Sequence, residues 1–122
     1  MSKALSSKQL ATCAADLAAE RKASDIVLLE LGQECSVADY FVVCTGRSDV
    51  QVQAICERIQ QGLSLQDQSP LSTEGISHGL WALIDYGDVV VHVFQDSART
   101  LYDLERLWGE APRRSWQGPG AS

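Results

Sequence analysis

The stretch WALIDYGDVVVHVF, residues 81–94, decides how this chain is read. It holds two apolar runs with a Gly87-Asp88 pair between them. A tight Gly/Asp turn between apolar runs signals a hairpin, because such turns need residues that tolerate unusual backbone angles. The prediction is two strands, Leu80 to Tyr86 and Val89 to Phe94, with Asp85 and Asp88 flanking the turn. His92 falls mid-strand. By alternation it shares a face with Val90 and Phe94, which favours a histidine paired to a neighbour over a catalytic base. Upstream, Glu74 to His78 is a candidate for a further short strand, and Gln66 to Ser72, with Pro70, reads as a loop.

Further out, helical periods take over. Ser48-Asp49-Val50-Gln51 is a capping box, in which a hydroxyl accepts a backbone N–H and the glutamine reaches back. Val52, Ile55, Ile59 and Leu63 follow as a stripe, so a helix is predicted from Asp49 to about Leu63. Tyr40 to Thr45, closed by Gly46, and Ile26 to Leu31, closed by Gly32, read as buried strands. A polar connector, Gln33 to Asp39, joins them. A second box, Ser6 to Gln9, opens a first helix that runs to about Lys22, with Leu10, Cys13, Ala14, Leu17 and Ala18 on one face. Downstream, Asp96 or Ser97 can cap a third helix carrying Leu101, Leu104 and Trp108. The remainder, GEAPRRSWQGPGAS, lacks periodicity and reads as a disordered tail. The expectation is one domain over residues 1–108 with a tail over 109–122. Its element order implies an α/β (α+β) fold, a mixed sheet with helices packed on its faces.

Composition narrows the function. The chain has 122 residues, 45% hydrophobic and 21% charged, the balance of one ordinary globular domain. Its formal net charge of −6 opposes a sequence-independent grip on nucleic acid and suits a basic protein partner. The four cysteines, Cys13, Cys35, Cys44 and Cys56, form no CxxC pair, so buried free thiols in a reducing, cytosolic compartment are expected rather than zinc. No run has the length or character of a membrane span or a secretory signal.

Chemistry finds little to stand on. Neither His92 nor His78, in a Gly-rich turn, sits in a nucleophile motif. Thr45-Gly46-Arg47-Ser48 lies where a helix N-terminus could receive an anion, but without GxGxxG or GxxxxGK[ST] it reads as a strand exit plus cap. Acids near the turn suit local backbone hydrogen bonding better than a metal. What remains is a cluster between Trp81 and Trp108: Trp81, Tyr86, His92, Phe94, Arg99, Tyr102 and Trp108, with Asp85, Asp88, Asp103 and Glu105 interleaved. Aromatics and arginine dominate protein–protein hot spots, so an apolar patch rimmed by acid is expected here.

Asp39-Tyr40-Phe41-Val42-Val43-Cys44-Thr45-Gly46, then Glu74-Gly75, then the 81–94 stretch, then Arg99 and Tyr102 to Trp108, resemble the ribosomal silencing factor (Iojap) family in order and spacing. The pattern WxLxDxGDVVVHxF followed by RxxYxLExLW is long and specific. The resemblance implies a mixed five-stranded sheet flanked by helices, similar to nucleotidyltransferase domains without their catalytic acids. It implies a translational repressor with no catalysis and no cofactor. Its partner would be a basic protein of the large ribosomal subunit, uL14, on the joining face, where the bound chain obstructs the small subunit. It implies a homodimer when free. Trp81, Asp85, Tyr86, Asp88, His92, Arg99, Tyr102 and Glu105 stand at the family's characteristic positions. Trp81, Tyr86, Asp88 and Tyr102 are the expected contacts, with Asp85, His92 and Arg99 as supports. Leu101 departs from the pattern, which often has a second aromatic there. Two rival readings are a reduced nucleotidyltransferase using Gly46, Ser48 and Asp39, and a generic dimeric scaffold.

Overall fold

The structure, a computed structural model, describes residues 5–31 and 38–98 together with the strand Arg113–Ser115. Its first element is helix α1 (Ser7–Glu20), begun by a full capping box: Ser6 accepts from the Gln9 amide, and Gln9 accepts from the Ser6 amide. Leu10, Ala11, Ala14, Ala15, Leu17 and Ala18 are its buried residues. Four of these six are alanines, so the helix can lie close to the layer beneath it. The helix closes at Arg21. Lys22 then adopts φ 62°, the left-handed conformation that ends a helical run.

Strands β1 (Ser24–Glu30) and β2 (Tyr40–Gly46) pair antiparallel, with an irregular register between Ser24 and Val27. Helix α2 (Asp49–Ser64) buries Val52, Ile55, Ile59 and Leu63, the predicted stripe. Its cap differs in one detail from the capping box expected. Ser48 accepts from the Gln51 amide, but the Gln51 side chain accepts from Arg47 N–H at 2.6 Å and donates to the Arg21 and Lys22 carbonyls. Gln51 thereby ties the exit of β2 to the end of α1. The two helices meet where Gly62 faces Leu17, and Arg58 bridges to Glu20 at 2.9 Å.

Strands β3 (Ser72–Glu74), β4 (Trp81–Asp85) and β5 (Val89–Gln95) follow, and β6 (Arg113–Ser115) completes a sheet ordered β3-β4-β5-β2-β1-β6. Among the described strands only β2 and β5 run parallel; the other pairs are antiparallel, so the sheet is mixed, as expected. Three boundaries move. The short strand predicted at Glu74 to His78 ends where it was to begin, because Gly75 (φ 73°) turns the chain. Residues 96–98 are helical, so Asp96 and Ser97 lie inside the first turn rather than capping it; Leu101, Leu104 and Trp108 lie outside the described residues. Residues 113–115 pair with β1 at Val27–Leu29, so this part of the expected tail is a sixth strand.

The sheet separates two cores. On one face Val42, Cys44, Ala82, Ile84, Val89, Val91 and Val93 pack with α1 and α2. The far face gathers Leu29, Phe41, Val43, Val90, Phe94 and Ala98, with Trp81 and Leu83 half-buried against them. No described helix is long and apolar enough to cross a membrane.

Candidate docking face

The far face is built by register. Leu83 and Val43 are the cross-strand partners of His92, and Trp81 and Thr45 are those of Phe94. Partners across strands share a face, so His92 is enclosed by apolar neighbours. It is 4% exposed. Trp81 lies diagonal to it, and its indole Nε1–H donates to His92 Nδ1 at 3.2 Å. The same indole stacks on Phe94, with centroids 5.1 Å apart and planes 21° from parallel. Phe41 meets the imidazole edge to face at 4.6 Å.

Burial pushes the His92 pKa down from 6.5 to about 4, because an apolar site disfavours the charged ring. The unfolded chain binds this proton near pH 6.5 and the folded chain only near 4. His92 thus contributes stability that is fully present above pH 6.5 and is lost as pH falls toward 4. Between pH 7 and pH 4 the expected loss from this one group is about 3 kcal/mol. Urea unfolding at the two pH values checks this. His92→Leu should remove that part of the slope, and an unchanged slope would refute the assignment.

The predicted site residues among those described do not all share one face. Trp81, Asp85 and His92 share the far face, since they are spaced by even steps or paired across β4 and β5. Asp85 is half-buried and its Oδ1 accepts from Gly87 N–H at 2.7 Å, the local turn bond that an aspartate at this position suggests. Asp88 is exposed at the turn, and its carbonyl accepts from the Asp39 and Tyr40 amides. Tyr86 goes the other way. It packs on the helix side, and its phenol oxygen is buried without a hydrogen-bond partner. Burial, and then the Cys56 and Cys13 thiols, push its pKa up to about 12. Tyr86→Phe should therefore raise stability by about 1 kcal/mol, since it removes an unsatisfied buried hydroxyl. A urea midpoint below wild type would contradict this. Arg99, Tyr102 and Glu105 lie outside the described residues.

The other candidates resolve simply. Around Ser48 the amides are occupied from within: Gln51 N–H by Ser48, Val50 N–H by Asp49, and Arg47 N–H by Gln51. This is a strand exit and cap. The residues of the nucleotidyltransferase reading lie at opposite ends of β2, with Asp39 before it and Gly46 and Ser48 after it. At ~3.3 Å per residue they stand roughly 20 Å apart and cannot serve one reacting centre. Asp39 instead accepts from the Ser7 hydroxyl at 2.6 Å. Cys44 and Cys56 are buried free thiols and Cys13 a half-buried one; burial raises the Cys56 pKa to about 12, which leaves that thiol inert. Cys35 lies outside the described residues. The sequence reading missed Phe41, Val43 and Leu83 as members of the far face, because strand adjacency is not written in any one segment.

Comparison with known proteins gives the geometry its context. The family model described as ribosomal silencing factor during starvation matches residues 4–121. Ribosomal silencing factor RsfS of Bacillus subtilis is 41% identical over 108 residues, 88% of this chain and 92% of that protein. The protein of the same name from Halalkalibacterium halodurans is 38% identical over 114 residues, 93% and 97% of the two chains. A crystal structure of a Chromobacterium violaceum protein superposes with a TM-score of 0.83 at 31% identity, covering 97% of this chain and 92% of the other. One from Bacillus halodurans gives 0.78 at 36% identity, covering 89% and 99%. The chain belongs to the ribosomal silencing factor family, a family of regulators rather than enzymes.

Proposed function

We propose that this repressor docks on the large ribosomal subunit at its joining surface, against the basic protein uL14, and excludes the small subunit by occupying its space. The observation that carries the reading is the family match over residues 4–121. The far face supports where docking occurs. Trp81 and Leu83 are its half-buried apolar members, Asp85 shares the face, and exposed Asp88 stands at the β4–β5 turn. An aromatic anchor rimmed by acid fits a basic protein surface, and the net charge of −6 favours encounter with it. In this reading Tyr86 serves packing, while Arg99, Tyr102 and Glu105 remain proposed contributors. The free protein is a cytoplasmic homodimer.

The mechanism needs no bond chemistry. A bound chain of 13.3 kDa blocks bridges between subunits by volume, and it represses for as long as it stays bound. The test is sedimentation with purified large subunits, followed by light scattering as small subunits are added. Co-migration with large subunits and suppressed joining are expected. Joining at the normal rate on saturated large subunits would refute steric exclusion, and failure to co-migrate would refute docking.

A further inference from the structure

Three glutamines of α2 have their amides fixed in the same sense. Gln53 Nε2 donates to the Ser77 carbonyl at 3.0 Å, Gln60 Nε2 to the Cys56 carbonyl at 3.4 Å, and Gln61 Nε2 to Glu57 Oε1 at 3.2 Å. Each partner can only accept, so each amide must give its nitrogen to its own chain. Each amide oxygen is then left without a donor among the described residues. The Glu57 carboxylate receives the Gln61 bond and no described lysine or arginine. Arg58, the one basic residue of α2, pairs instead with Glu20 at 2.9 Å. Together with Ile76 and Ser77, these four side chains line an open groove of about 530 Å³ between α2 and the turn after β3. That volume lies within the range of ligand sites.

We infer that this groove takes an arginine side chain presented by a protein partner. Its lining offers mainly acceptors: the three amide oxygens and the Glu57 carboxylate, with the Ser77 hydroxyl able to serve in either sense. A guanidinium is the matching group, because it carries five N–H donors in a fixed fork and no acceptor. An anion would set oxygen against oxygen and meet a like charge, which rules out a phosphate ligand. Glu57 supplies the charge, and charge-assisted hydrogen bonds are roughly twice as strong as neutral ones. Ile76 is half-buried and packs on the helix-side core, so it gives the apolar stem of an arginine a surface to lie on. Lysine fits less well, since its compact ammonium cannot span acceptors spread along a groove. The net charge of −6 draws a basic segment toward the molecule. The groove lies on the helix side of the sheet, so the inference does not rest on docking at the far face.

The test uses the full chain and a blocked peptide, acetyl-Gly-Ala-Arg-Ala-Gly-amide, with lysine or citrulline replacing arginine in two control peptides. Citrulline keeps the shape of the side chain but loses its charge. Nitrogen-15 spectra follow each titration. The side-chain amides of Gln53, Gln60 and Gln61 and the backbone amide of Ile76 should move on one saturating curve. The lysine peptide should bind at least about three-fold more weakly than the arginine peptide, and the citrulline peptide at least about ten-fold. Glu57→Gln keeps the size of an exposed side chain and removes its charge, so it should weaken the arginine peptide about ten-fold at an unchanged urea midpoint. Gln60→Met removes one acceptor at similar length and should weaken it about three-fold. Asp88→Asn removes the same charge at the β4–β5 turn and should leave peptide binding unchanged.

Signals that stay still at the groove while the arginine peptide is added would overturn the inference. Equal affinity for the arginine and lysine peptides would show charge attraction alone and overturn it too. So would equal losses in Glu57→Gln and Asp88→Asn, or wild-type affinity in Glu57→Gln. A larger response of the groove signals to inorganic phosphate than to the peptide would make the groove an anion site, against the inference. Failure to bind large ribosomal subunits would refute the far-face reading and leave each of these outcomes as it stands.

Discussion

Replacing Gly75 by alanine is expected to destabilise the fold by roughly 3 kcal/mol, more than a typical point change. Gly75 sits at φ 73°, where a side chain is strained, and a Cβ there would stand 2.2 Å from the Trp81 carbonyl oxygen. That oxygen is backbone and cannot swing aside. It belongs to the residue that pairs with Phe94 at the start of β4. The collision must therefore move the strand that carries the proposed docking face. Gly87→Ala makes the control: its φ is 91°, but its Cβ would meet only Leu71, at 3.4 Å. It should lose about 1 kcal/mol, the backbone penalty alone. Urea unfolding of both variants separates the two terms. Equal losses would show that the turn yields and the collision is relieved. Among molecules still folded, Gly75→Ala should also bind large subunits more weakly than Gly87→Ala, because only the first displaces Trp81.

Much of this architecture was legible in the sequence because it is specified locally. The Ser6 and Ser48 caps, the stripe of α2 and the Gly87-Asp88 turn each lie within one segment, and each is found where it was expected. The site was legible in membership but not in arrangement. Trp81 and Tyr86 attract notice together because both are large aromatics a few residues apart. A strand has a period of two, so five steps along it reverse the face. Tyr86 accordingly points to the helices while Trp81 faces away from them. Strand order was not legible at all. The parallel pairing of β2 with β5, which brings Phe41 and Val43 beside His92, joins segments separated by the whole of α2, β3 and β4. The pairing of β6 was hidden for a different reason. A three-residue edge strand in a Pro- and Gly-rich stretch has no period to detect, and only the waiting edge of β1 reveals it.

The far face makes the largest functional prediction. Trp81→Ala should lower affinity for the large subunit by about a hundred-fold, the scale of an aromatic hot spot. The residue is half-buried, and part of its area is committed to Phe94 and His92. Its ring is held from behind, and this is what separates it from the large apolar residues left exposed among the described residues. Val50, Leu65, Leu71 and Leu80 are more exposed, at 68%, 84%, 74% and 44%, but they lie outside the two packed cores. Area alone would select those four; ordering before encounter selects Trp81. Leu65→Ser and Leu71→Ser should accordingly leave binding within a few-fold of wild type, as should Tyr86→Phe. Asp88→Asn should slow association and flatten its salt dependence without changing the dissociation rate much, because an exposed rim charge steers encounter more than it holds the complex. Binding of each folded variant to purified large subunits decides among these outcomes. Wild-type affinity in Trp81→Ala, with loss in Leu65→Ser or Leu71→Ser, would move the docking surface away from the far face of the sheet.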